Sequence, residues 1–233
     1  MLRVVTGFTP LVAQWYKSTH PSQERLYEYL DWIKSSVGPV PLDIGPLYLH
    51  LEVDVEKKER LVKGYDLENF LTPLFSSRCL GSDCFVLVSA EKRVGGGSSV
   101  RIGRAEQLRS APQPVGWSYF GWSATSAVKW RERLRQVLST ELAGPVLEGL
   151  SEVRIAWRCS RRRSWVNLWK ATGDAMGPIL GEYPHSRNTS PRDDRIVSQE
   201  FHLNSEEMGN ALEVGIWWRL RIDRAATDLV QLR

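Results

Sequence analysis

One pattern occurs twice in the 233 residues, and it constrains the fold more tightly than composition does. "QERLYEYLDWIKSS" sets Leu26, Leu30 and Ile33 on one helical face, and "VKWRERLRQVLST" does the same with Trp130, Leu134 and Val137. Each helix runs into Gly-Pro-Val, at Gly38–Val40 and again at Gly144–Val146. Glycine readily takes the left-handed backbone that ends a helix, and proline cannot continue one. An alternating strand follows in each copy. "LYLHLEVDV" puts Leu47, Leu49, Leu51, Val53 and Val55 on one face; "EVRIAWRC" points Val153, Ile155, Trp157 and Cys159 inward and Arg154 and Arg158 outward. Then come a basic loop ("EKKERLVKG", "SRRRS"), a short helix with an early asparagine ("DLENFLTPLF", "WVNLWKATGDAM") and two closing strands. The same order twice implies a small α+β domain duplicated in tandem. The expected domains are residues 1–105 and 118–233, joined by the proline-bearing linker "EQLRSAPQPVGW" at 106–117. The glycines of "VGGGSS" read as the tip of a hairpin between the closing strands of the first copy or as a flexible loop skirting DNA, and "GEYPHSRNTSPRDD" as a surface loop inserted in the second.

With 42% apolar and 25% charged residues, the chain can bury a substantial core. No apolar run approaches the ~20 residues that span a bilayer. The opening "MLRVVTGFTPLVA" lacks a signal peptide's apolar centre, and the three cysteines Cys79, Cys84 and Cys159 form neither a disulfide framework nor a metal knuckle. The expectation is a cytoplasmic protein, nucleoid-associated if bacterial, with no membrane partner. The net charge of +4 is unevenly spread: arginines crowd "KWRERLRQ", "WRCSRRRSW" and "WWRLRIDR". Such clusters favour an anionic partner, nucleic acid first, or else form solvated faces.

The stretch "GYDLENFLTPLF" carries the chemistry. Asp66 and Glu68 lie two residues apart, on the same side of the chain if it is extended, and Asp83 follows in "GSDCFV". Three carboxylates gathered at one sheet end suit Mg²⁺, with Mn²⁺ as a substitute, because these ions take oxygen ligands and keep several waters. The plainer alternative makes Asp66 a helix N-cap, Glu68 a first-turn partner of the helix dipole and Asp83 a turn residue. In the second copy Asn167 stands where the first has Asn69, with Lys170 and Asp174 successive turns later and Asp193-Asp194 before "RIVSQ". Trp165 and Trp169 flank Asn167 and suit either base stacking or core packing.

This arrangement resembles the RusA-type Holliday junction resolvases, small homodimeric endonucleases with a basic run, then Asp-x-Asp-Asn-x-x-Lys-x-x-x-Asp, then an Asp-Asp pair leading into a strand. The resemblance implies two RusA-like domains fused as an intramolecular pseudo-dimer. It implies that Asp66, Glu68 and Asp83 match the metal ligands, with Glu68 in place of an Asp and Ser82 in place of one acid of the pair. It leaves Thr72 at the lysine position, followed by Pro73, which should shorten the helix. In the second copy Lys170, Asp174 and Asp194 match, while Ser164 and Val166 replace both motif acids, leaving Asn167, Asp174, Asp193 and Asp194 as a vestigial site. Either Lys63 or Lys170 reaching across from the other half would replace the missing lysine, if any does; otherwise Lys63 is a solvated surface lysine and Lys170 simply pairs with Asp174 one helical turn on.

The expected activity is Mg²⁺-dependent phosphodiester cleavage of branched or structured DNA, relevant to recombination and repair. Asp66, Glu68, Asp83 and Lys170 would be catalytic, and Lys63, Arg161, Arg162, Arg163 and Lys170 would contact phosphates. One live site makes nicking more natural than paired incisions, unless two molecules join. The rival expectation is a protein of nuclease fold that binds junctions or single strands without cutting them.

Overall fold

A computed structural model describes residues 3–11, 21–39, 45–61, 66–75, 79–81, 84–105, 116–126, 128–142, 146–160, 163–184 and 190–221. The first half runs β1 (Arg3–Phe8), α1 (Pro21–Val37), β2 (Leu47–Asp54), α2 (Leu67–Leu74), β3 (Phe85–Arg93) and β4 (Ser98–Arg104). The second runs β5 (Ser118–Ala124), α3 (Trp130–Glu141), β6 (Ser151–Cys159), α4 (Val166–Ala175), α5 (Gly177–Leu180), β7 (Ile196–Ser205) and β8 (Leu212–Leu220). All eight strands form one mixed sheet in the order β1-β4-β2-β3-β7-β6-β8-β5. The chain is therefore of mixed α and β class, as its alternating periodicities require.

Strand order and direction recur. In the first half β4 is antiparallel to β1 and β2, and β2 is parallel to β3. In the second half β8 is antiparallel to β5 and β6, and β6 is parallel to β7. A one-residue bulge falls at the same point in each parallel pair, where Leu47/Tyr48 meet Phe85/Leu87 and Ser151/Glu152 meet Ile196/Ser198. These registers equate Phe85 with Ile196 and Ser89 with Glu200. The halves join by antiparallel pairing of β3 with β7, centred on Ser89↔Glu200 and flanked by Val88↔Phe201 and Ala90↔Gln199. Exchanging the two halves maps this seam onto itself.

Inward residues of the strands join one core cluster with α1, α2, α3, α4 and α5. Leu26, Leu30 and Ile33 are buried on α1 as their spacing predicts, and Trp130 and Leu134 on α3; the third buried position there is Leu138, with Val137 only half-buried. Gly38, at φ +67°, ends α1 with its N–H on the Lys34 carbonyl at 2.9 Å. Aromatic rings carry the core across the seam. Phe75 lies edge-on to Phe85 at 5.1 Å and to Trp169 at 5.2 Å, and Trp169 stacks on Phe201 at 4.7 Å. Trp165 and Trp169, 2% and 0% exposed, belong to this core, so neither stacks on a base.

Two sequence expectations change. The leading strands β1 and β5 are additions: both are edge strands, and β5 has one buried residue, so neither shows a clean two-residue period. The helix containing Pro73 is short, as expected, at eight residues. The glycines of "VGGGSS" do not make a hairpin, because β2 lies between β3 and β4. Their loop instead crosses the end of β2, where the Asp54 carboxylate accepts the N–H groups of Glu56, Gly97 and Gly95 at 3.0, 2.9 and 3.0 Å. Those bonds hold Asp54 below its ordinary pKa. Gly95, Gly96 and Gly97 all take positive φ there, which side chains resist. The second half crosses β6 likewise, with Glu206 N–H on the Cys159 carbonyl at 3.0 Å.

Thr172, fully buried in α4, accepts the indole N–H of both Trp130 and Trp157 at 3.2 Å, tying α3 and β6 to one hydroxyl. Thr172→Val keeps the shape and strands both donors. It should cost ~2–4 kcal/mol in urea denaturation, with Thr172→Ser costing less than half as much.

Candidate metal centre

The centre is assembled at the start of α2. Asp66 occupies the N-cap with extended backbone (φ −64°, ψ 147°), but its carboxylate caps nothing. The side chain of Asn69 donates to Asp66 Oδ2 at 3.1 Å instead and orients it. The helix begins at Leu67, so Glu68 lies in its first turn, not on an extended segment. Leu67, Leu71 and Leu74 are fully buried, and Glu68 goes into the interior with them at 3% exposure. There it meets α4, where a Cβ on Gly173 would sit 3.1 Å from Glu68 Oε2. A mid-helix glycine is unfavourable by roughly 1 kcal/mol, and here its lack of a side chain leaves room for the carboxylate.

The third acid comes from the other half. Asp193 lies in a 3-10 turn (Asp193–Arg195) leading directly into β7. Because β7 pairs with β3, and α2 contacts both strands, that turn lies beside the start of α2. One oxygen each from Asp66, Glu68 and Asp193 lie within 4.8 Å of one another. Asp83, the expected third ligand, lies outside the described residues. Asp193 is also the first acid of its pair, whereas the resemblance matched the second, Asp194.

Lys170 of α4 extends to the same place. Its Nζ is 3.1 Å from Glu68 Oε1 and 2.9 Å from Asp174 Oδ1, with the side chain half exposed. Asp174 also faces Arg131 at 3.5 Å. Neither Glu68 oxygen meets hydrogen-bond geometry with any described residue despite this proximity, nor does the buried Asp194 Oδ1. Lys92 of β3, 2% exposed, donates to the Asp194 carbonyl at 2.8 Å. Tyr183 hydrogen-bonds the Asp194 carboxylate, and burial with that bond raises the phenol's pKa.

Crowding shifts the acids strongly. Burial raises Glu68 to about 7, with Lys170 opposing and Asp66 and Asp174 adding to the rise. Burial, then the charges of Asp66 and Glu68, raise Asp193 to about 8. Asp66 is raised by burial too, although its contact with Asp193 opposes the rise. Burial works against the charged form of Lys170, but Glu68 and Asp174 outweigh it and push its pKa above the ordinary value. Three hard oxygen donors, one of them from the buried Glu68 carboxylate whose oxygens lack hydrogen bonds, fit Mg²⁺ or Mn²⁺.

The other predicted residues divide. Lys63, Arg161 and Arg162 lie outside the described residues. Arg163 donates to the Asn210 carbonyl at 3.3 Å, and Asn167 is exposed on the first turn of α4. Several clustered arginines are engaged in ion pairs on the sheet face away from the helices: Arg154 with Glu200 at 3.0 Å, Arg158 with Glu206 at 2.7 Å and Glu213 at 2.9 Å, Arg221 with Glu91 at 3.1 Å. Arg219 pairs with Glu152 in the same way. Their charge is largely neutralised locally. Lys92, Gly173 and Tyr183 escaped the sequence reading. Strand parity would have exposed Lys92 as an inward lysine, but the bulge at Phe85/Leu87 inverts the parity counted from Phe85.

No protein-family model matches this sequence, and no curated protein matches it significantly.

Glu68 and Asp193 hold protons in the folded state that they lose in the unfolded chain, so their contribution to stability is full below the ordinary carboxylate range and is lost as pH rises towards 7–8. With chelator present, thermal stability should fall between pH 5 and 8, at up to about 1.4 kcal/mol per pH unit for each proton. Melting curves of Glu68→Gln should show a flatter dependence, and Mn²⁺ should restore the wild-type protein at pH 8.

Proposed function

We propose that the chain is a divergent RusA-like, metal-dependent endonuclease of branched or structured DNA, built from two duplicated domains fused as a pseudo-dimer. The observation that carries this reading is complementary retention. The first half keeps Asp66 and Glu68 but has Thr72 at the lysine position; the second keeps Lys170 and Asp193 but has Ser164 and Val166 at the acid positions. The retained parts meet in one place. Independent decay of two useless sites would not keep the halves of one centre and discard the matching halves of the other. The recurrent strand order, the shared bulge and the self-mapping seam support the duplication. Equivalent backbone bonds support the matching of Asp66 with Ser164, since Asn69 N–H meets the Asp66 carbonyl at 3.0 Å and Asn167 N–H the Ser164 carbonyl at 3.2 Å.

Asp66, Glu68 and Asp193 would hold the ion. A bound Mg²⁺ would polarise the scissile phosphate and lower the pKa of a coordinated water. In the hydrolysis itself water adds at phosphorus and the bond to one sugar oxygen breaks, that oxygen taking up a proton. Asn69 keeps the Asp66 carboxylate in place, and Gly173 leaves space for Glu68. Lys170, half exposed at the rim, would be free to turn from Glu68 to a phosphate oxygen if Glu68 held an ion, keeping its partner Asp174. One centre per chain gives one incision per encounter.

Labelled four-way junction, flap and duplex DNA incubated with Mg²⁺ or Mn²⁺ should acquire single-strand nicks. Asp66→Asn and Asp193→Asn should abolish them, and Lys170→Met should slow them by ~10²-fold, the scale of a positioned acid–base or electrostatic group. Tight, salt-sensitive binding without cleavage would replace this reading with that of a structural DNA binder, and neither binding nor cleavage would overturn both.

A further inference from the structure

A lysine buried in a core is costly unless its ammonium group is fully engaged, because removal from water penalises the charge by several kcal/mol. Lys92 is such a group, on the inward row of β3 with Val88 and Ala90. Its Nζ donates to two main-chain carbonyls, Asp194 at 2.8 Å and Leu61 at 3.4 Å. Leu61 closes the 3-10 turn Lys58–Leu61 just ahead of Asp66, and Asp194 directly follows Asp193. The ammonium therefore links the approach to the first-half acids with the turn bearing the second-half acid. Asp66, Asp194 and Asp193 all lie close enough to act on its charge. The register equivalence that relates the halves equates Leu203 with Lys92, so the twin position, whose motif acids are absent, lacks the ammonium as well.

We propose that Lys92 is the positioning residue of the composite centre: it pins the Asp193–Asp194 turn to the segment before Asp66 and so holds acids from two halves at metal-binding separation. This rests on the metal-centre reading above. The role is distinguishable from charge balance by its sign. Deleting a cation near an anionic site strengthens divalent binding by removing repulsion, whereas losing the pin lets Asp193 drift from Asp66 and Glu68 and weakens it. Lys170, held by side chains alone, supplies the reference for simple charge removal.

The test is Mn²⁺ titration of the full-length chain, with free Mn²⁺ followed by electron paramagnetic resonance and folding checked by urea denaturation. Lys92→Met should weaken Mn²⁺ binding at least tenfold while Lys170→Met leaves it equal or tighter, and Lys92→Arg should recover part of the loss. If Lys92→Met does not fold, Lys92→Gln, whose shorter side chain cannot span both carbonyls, is read against the same expectation. Wild-type binding with Lys92→Met (or Lys92→Gln) equal to wild type or tighter overturns the proposal and leaves the centre standing. No difference between wild type and Asp66→Asn removes the centre, and the proposal with it.

Discussion

The antiparallel seam between β3 and β7 is the contact on which the molecule depends. Without it there are two four-stranded sheets, each with an exposed edge, and no candidate centre. With it, the edges are satisfied by backbone hydrogen bonds, the aromatic core runs across from Phe75 to Phe201, and the turn before β7 comes alongside α2. The site is thus a consequence of joining the halves, and neither half holds it alone.

The centre also works against stability. Asp66, Glu68 and Asp193 converge in a partly dry place where like charges repel, and burial keeps protons on carboxyls that would otherwise be ionised. Lys170, half exposed, and Lys92, buried, offset part of that repulsion. A metal bound there would have to displace protons that the fold holds more tightly than the unfolded chain does, so its binding would strengthen as pH rises.

Much of the fold was legible because it follows from local periodicity. The faces of α1 and α3, the alternation of β2 and β6, and the punctuation at Gly38 all follow from spacing that a helix or strand must obey. What was not legible depended on neighbours. β1 and β5 lie at sheet edges with one face poorly covered, so their residues are not sorted by burial. The glycine loop looked like a hairpin because sequence adjacency suggests strand adjacency, yet β2 intervenes and Asp54 receives the loop's N–H groups. A bulge invisible in the sequence turned Lys92 inward.

The residues by themselves determined that an acid pair would stand at a helix start in one half and a lysine with a later acid pair in the other. Only the tertiary structure decided that Asp193 would join Asp66 and Glu68, and that Lys170 would reach Glu68 from the opposite half. The reason is physical: side-chain chemistry and helix register are properties of a few consecutive residues, while convergence across a seam depends on which strand edges pair, a choice made by the whole core.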